Sequence, residues 1–441
     1  MRDFPVLKSR NDVNLWAVPF RMGAGAVGLF ILTMIPDTLA SHNVIHLPWW
    51  FTMGGIDDAR AILSTMLGCV STVLALIFSV ALLMLSMMAT LFGPRLLYRF
   101  VQDWVTQVTI GMFMAAFIYV FLVFLVTHQS ADSSFIPQVS LITSWLLVLT
   151  AFGFLVYYSH RIALSIQNPD AIARIVDDFR NSLRHSTAKA QDEKIRAQAL
   201  AAFYQHQNAD SGKIDSHASG YVQEIEIADL VEAAERAGAQ LEFFFRPGQF
   251  VLNGEILARV WPKAQTELLA PLVQKKVWIG RHRILSQDSE FGIAQIVEIG
   301  IRALSPAVND TFTGVACVDW LGEALLTVAE TPQNAGCWYD PAGKLRVRIR
   351  ELKISRMVKM AFDQIRQSAA DNPAVLVRIL STLGRVGPWM KDAEDLEALK
   401  SQADAVLDSA KTGGLIEKDF ADVEAAWRAA LEVFAVLRCD R

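Results

Sequence analysis

The chain has 441 residues, 53% of them hydrophobic, and a mean hydropathy of +0.30. That is apolar for a soluble protein and too polar for one that lies wholly in a membrane. The formal net charge of −4 provides no bulk attraction to nucleic acid, which is not expected as a partner.

Charge divides the sequence. Residues 1–160 hold seven Lys/Arg and seven Asp/Glu, whereas residues 161–441 hold 34 and 38. An apolar half therefore precedes a water-soluble half that is long enough for a core of its own. Cys69, Cys317, Cys337 and Cys439 form no CxxC pair, so neither a disulfide framework nor a structural zinc site is expected.

The opening, Met1 to Asn14, carries Arg2, Lys8 and Arg10. Residues 15–35 form a first apolar segment. A signal peptide is the alternative reading, with Thr38-Leu39-Ala40 as a poor cleavage site. Gly23 to Gly28 spells GxGxxG, but a dinucleotide fingerprint needs a strand before it and an acid about 20 residues on. Inside an apolar helix such glycines mark packing contacts instead. In the loop over 36–61, Trp49 and Trp50 suit a membrane interface. His42 and His46 lie four apart near Asp57 and Asp58, but Pro48 and the turn-like sequence argue against a metal site.

Ile62 to Phe92 contains 31 residues without a charge. A bilayer core is crossed by about 20 apolar residues, and this stretch as a helix is about 46 Å long. It is expected to anchor the rest of the chain. Ser64, Gly68, Ser71, Thr72, Ser79 and Ser86 recur at helical spacing and share one face. Two readings stay open: close helix packing through small residues, or the wet lining of a permeation path in an oligomer. Further spans are expected at about 105–127 and 139–158. The N-terminus, the loop with Arg95 and Arg99, and the residues from Arg161 onward are basic, whereas the opposite loops hold only Arg60. The positive-inside rule then places both termini in the cytoplasm.

Asn168-Pro169-Asp170 is a helix start, and a helical connector is expected over 161–218. Val222 to Ile227 alternates with period two, which predicts a strand. Asn253-Gly254 between apolar runs predicts a hairpin of 249–252 with 255–261. A small β module is expected over 219–285. Its phrasing resembles barrel-sandwich carriers, but no lysine sits at the tip and a carrier role is not supported.

The densest polar cluster follows. Asp288 to Leu304 reads as a helix with Gln295, Glu298 and Arg302 on it, and Ser305-Pro306 stops it. Asn309 and Asp310 cap the next helix, over about 311–329, which carries Asp319. These residues are either caps and an ion pair at a corner, or a small site. As a site, Arg302 and a helix start would hold an anion, or Asp288, Glu298, Asp310 and Asp319 would hold a divalent cation. No GxSxG, HExxH or Walker lysine motif occurs, so neither an enzyme nor a cofactor is expected. In the tail, Ile354, Val358, Ala361 and Ile365 form an apolar stripe, and Gly387-Pro388 and Gly413-Gly414 separate helices of a bundle.

Several strings resemble one bacterial family. They are Ala59 to Thr65, Pro94 to Leu97, Gln107 with Gly111, Gly220 to Val222, Pro247 to Val251, and Ile301 to Asp310 with its RALSPAxND core. The family is the predicted membrane proteins with domain of unknown function 2254, and the resemblance covers about residues 10–435. A proline commonly follows that aspartate in the family; this chain has Thr311. The resemblance implies a bacterial inner-membrane protein with a cytoplasmic domain, and no particular activity, substrate or cofactor.

The expected architecture is an α-helical membrane protein. Four transmembrane helices lie within residues 1–160, followed by a mostly helical cytoplasmic α+β domain whose last part, 286–441, is helical. Two functions are expected of it. One is a homo-oligomeric channel or transporter built around 62–92 and gated by the soluble half; the other is a membrane-anchored sensor or scaffold.

Overall fold

The computed structural model describes residues 17–41, 55–92, 104–129, 136–166, 170–186, 193–205, 210–331, 336–350 and 352–439. They form two compact units, one from residues 17–166 and one from residues 170–439. The described residues are mostly helical with a small sheet region, and five of the helices among them are long and apolar enough to cross a membrane. The features expected at His42, His46, Trp49, Trp50, Arg95, Arg99 and Asn168-Pro169 lie outside the described residues.

The first unit consists of α1 (Ala17–Ser41), α2 (Ile56–Phe92), α3 (Trp104–Gln129) and α4 (Gln138–Ile166). Each contains one of the expected apolar segments. The organising helix is α3, not the longer α2. Of α3's apolar stretch 56% is buried, against 17–22% in the other three, and α1, α2 and α4 all pack on it. Its sequence is apolar all round, which is the pattern of an enclosed helix. Gly111 lets α1 come close: a Cβ there would lie 2.6 Å from Met22 Sδ and 3.2 Å from Pro19 Cα. The long helix α2 is instead two-faced. Ala59, Leu63, Met66, Val70, Ile77 and Met84 are buried at three-, four- and seven-residue spacing.

Helix ends are joined at one end of this unit. The Asp37 carboxylate, on α1, accepts from the amides of Val139 (2.8 Å) and Ser140 (3.0 Å) and from Ser140 Oγ (2.6 Å), which caps α4. Arg60, on α2, donates to the Thr127 carbonyl of α3 at 2.9 and 3.1 Å. An acid thus meets a helix start and a base meets a helix end, as the helix dipole favours.

The second unit opens with α5 (Asp170–Ser186) and α6 (Glu193–Gln205). Strands β1 (Gly212–Asp215) and β2 (Gly220–Ile225) precede α7 (Ile227–Arg236). Then come β3 (Gln240–Phe243), β4 (Phe250–Val251), β5 (Ile256–Trp261), α8 (Thr266–Lys276) and β6 (Val277–Gly280). After α9 (Ser289–Ala303) and α10 (Thr311–Glu330), β7 (Cys337–Tyr339) and β8 (Leu345–Ile349) add two more strands. The unit ends with α11 (Ile354–Ser368), α12 (Pro373–Val386), α13 (Ala393–Thr412) and α14 (Glu417–Cys439).

Three expectations are corrected here. The Asn253-Gly254 turn does not close a hairpin. It crosses between sheets, because β4 pairs with β2 whereas β5 pairs with β1 and β3. The β region does not end at 285, since β8 joins β3 in parallel within the sheet β1-β5-β3-β8-β7. Nor is 161–218 a separate connector. Ile172, Ile175, Val176 and Phe179 bury α5 against α9 and α10, and Phe203 of α6 packs on Trp261 with ring centroids 5.7 Å apart. The helices α9 to α14 form the expected bundle, with Val358, Ala361 and Ile365 in its core.

If the α1–α3 seam holds the first unit together, Gly111→Val costs about 1–3 kcal/mol by overpacking. Gly153→Val, on the exposed side of α4, costs almost nothing, since no atom lies within 4 Å of its Cβ position. Thermal unfolding of both variants in detergent measures the difference.

Candidate functional site

The stripe on α2 faces away from the buried row. Ser64, Gly68, Thr72, Ser79 and Ser86 are exposed and Ser71 is half-buried, so the other described helices of the first unit leave this face uncovered. Its hydroxyls donate within their own helix. Ser71 Oγ reaches the Leu67 carbonyl (2.6 Å), Thr72 Oγ1 that of Gly68 (2.9 Å) and Ser79 Oγ that of Ala75 (3.0 Å). The face is thus small and smooth, and these three hydroxyls are already satisfied. Leu82 and Leu83, at 66% and 62% exposure, lie on the exposed side of the same helix.

The residues predicted between 288 and 319 do not converge. Asp288 caps α9 through the Phe291 amide (3.1 Å) and takes a two-pronged bond from Arg283 at 2.7 and 2.9 Å. Glu298 and Arg302 form a half-exposed pair at 3.4 Å along one helix. Ser305 Oγ donates to the Arg302 carbonyl (2.7 Å). Asn309 takes the left-handed conformation, φ 51°, that turns α9 into α10. Asp310 caps α10, accepting from the Thr313 amide (3.0 Å) and hydroxyl (2.6 Å), and these bonds hold its carboxyl below the usual aspartate range. Asp319 faces Arg378 at 3.6 Å. Gln295 is buried, with no hydrogen bond to its Oε1. Each acid has its own partner, and among the described residues no group of three or more His, Cys, Asp or Glu could hold a metal ion. Thr311 ties the corner down, its hydroxyl accepting from Asn372 Nδ2 at 2.8 Å.

A different charge cluster does converge. The Glu290 side chain is 6% exposed and accepts from both Arg246 Nη2 (2.5 Å) and Arg356 Nε (2.6 Å). Arg246 lies in the β3–β4 loop and Arg356 on α11, so one carboxylate joins the β region to two helices. The Pro247-Gly248 turn fits over the neighbouring acid: Gly248 has φ 91°, and a Cβ there would lie 2.2 Å from Asp288 Oδ2. Sequence reasoning missed Glu290, Arg246, Arg283 and Arg356. The only local signal was an acid in the first turn of α9, which the helix dipole already explains.

It also missed Asp37. This acid is 2% exposed in the apolar unit and continues into a hydrogen-bonded chain. Ser140 Oγ lies 3.2 Å from Thr33 Oγ1, which lies 2.7 Å from the Tyr119 hydroxyl. A buried carboxylate among apolar helices persists only where donors are fixed around it, and here α4's first turn supplies them.

Over residues 12–385 the sequence matches the family described as predicted membrane protein, DUF2254. The chain belongs to that family. It is also similar to uncharacterized proteins Rv1290c and MT1328 from two strains of Mycobacterium tuberculosis and Mb1321c from Mycobacterium bovis. Each is 29% identical over 430 residues, covering 95% of this chain and 80% of the relative. No solved structure matches the chain. With its apolar helices, the DUF2254 match identifies a membrane protein and brings no reaction or ligand with it.

Removing this buried carboxylate strands the buried Arg246, so Glu290→Gln lowers the stability of the second unit by about 3–5 kcal/mol. Glu298→Gln changes it by less than about 1 kcal/mol. Asp310 adds a pH dependence. Its folded pKa is depressed, so its contribution is present above the unfolded value of about 3.9 and fades as pH falls through the folded one. Asp310→Asn keeps the cap and flattens that acid limb. Thermal unfolding scans of the purified protein across acidic pH check all three.

Proposed function

We propose that this DUF2254 protein crosses the bacterial inner membrane with α1 to α4, keeps both termini and the second unit in the cytoplasm, and assembles around α2. The assembly conducts or transports a small ion or solute under control of the second unit. The observation that carries this reading is the uncovered face of α2. Small residues gain little from lipid tails, but they let a second helix approach closely or border a water path. α2 is 37 residues long, against about 20 needed to cross the hydrocarbon core.

Of the five candidate helices, α10 is assigned to the cytoplasmic body. It is 56% buried inside its own unit, and it carries Asp319 and Glu323, paired with Arg378 and Arg180. The orientation rests on the basic loops. Arg60, the lone Lys/Arg on the opposite side, is bound to the Thr127 carbonyl. A membrane-anchored sensor or scaffold is the second reading, and the shared Glu290 favours it by tying the β region to the helices.

Flux assays in liposomes test the first reading. Wild-type protein is expected to pass an ion or small solute. Ser79→Leu abolishes the flux, whereas Leu146→Ala, on the exposed side of α4, does not. Absence of flux across a broad panel of ions and solutes overturns transport and leaves the sensor.

A further inference from the structure

An open groove of about 390 Å³ runs between α11 and α13, lined by Ser355, Arg356, Lys359, Glu394, Glu397 and Ser401. Arg356 is fixed at one edge only, by its Nε bond to the buried Glu290, which Arg246 holds from its other side. Its remaining nitrogens make no hydrogen bond or ion pair to any described residue, and neither does the Lys359 ammonium. Residues 356 and 359 stand one turn apart on α11 and both line the groove, so the Lys359 ammonium and the terminal nitrogens of Arg356 face the same opening.

The two carboxylates in the groove are already neutralised. Lys353 binds both oxygens of Glu394, at 2.9 and 3.0 Å, and Arg438 binds Glu397 at 2.8 Å.

We propose that this groove binds a small phosphate-bearing dianion. A guanidinium preset by a buried carboxylate presents a planar pair of donors that suits two phosphate oxygens. Lys359 supplies the second charge, and Ser401 lines the α13 wall of the groove. Presetting lowers the ordering cost of binding. Bound anion and Glu290 share Arg356, so occupancy reaches the β3–β4 loop through Arg246. This inference stands apart from the role of α2.

Titration calorimetry of the full-length protein in detergent, with inorganic pyrophosphate as probe, tests it. Saturable binding of one anion per chain is expected, with a Kd of about 1 mM or tighter. Lys359→Gln, at an exposed position, weakens it about tenfold without moving the thermal midpoint. Glu397→Gln frees Arg438 and tightens it. Displacement of pyrophosphate by dihexanoyl phosphatidic acid assigns the anion to a lipid headgroup; displacement by a soluble sugar phosphate alone assigns it to a free metabolite. No heat of binding, or binding that ignores both Lys359→Gln and Glu397→Gln, overturns the site.

Discussion

A helix in lipid satisfies its own backbone, so its side-chain faces alone decide what it touches. In this chain that constraint is resolved by α3. Apolar all round and narrow at Gly111, it takes α1, α2 and α4 onto its surface. Once α3 has claimed the row from Ala59 to Met84, no other described helix of the first unit covers the opposite side of α2. The stripe of Ser64, Gly68, Thr72 and Ser79 is therefore a surface, and the proposed assembly is the consequence of that single exposed face.

The second unit is held by a different device. Its helix starts are set by side-chain caps at Asp288, Asp310 and Asn372, which fix where each helix begins and how the chain enters it. Buried charge then joins distant elements. Glu290 accepts arginines from a loop and from α11, and Arg283 locks the residue just before α9. Such a shared acid contributes little net stability over an apolar replacement, but breaking it is costly. It therefore couples the β region to the helices, so a change at either side is felt at the other.

Much of this was legible in the sequence. The uncharged runs locate all four apolar helices, and the helical recurrence of serine and glycine places the α2 stripe on one face. The Asp288 and Asp310 caps were readable from cap residues before apolar runs. What failed is non-local. The hub role of α3 is marked only by a sequence apolar on every side, which fits enclosure but names no neighbour. Arg246 and Arg356 lie 44 and 66 residues from Glu290, a separation that no spacing rule spans. Asn253-Gly254 carries the chemistry of a tight turn, and that chemistry is the same whether the next strand pairs back or enters another sheet.

The account rests on the stripe of α2 meeting another copy. Oxidative cross-linking in native membranes measures this directly, with Cys69 and Cys439 replaced by alanine and single cysteines placed at Ser71, Ser79 and Leu146. Disulfide-linked dimers at positions 71 and 79, and none at 146, are the predicted result. Monomer at every position, or cross-links at 146 that match those at 71 and 79, would contradict it.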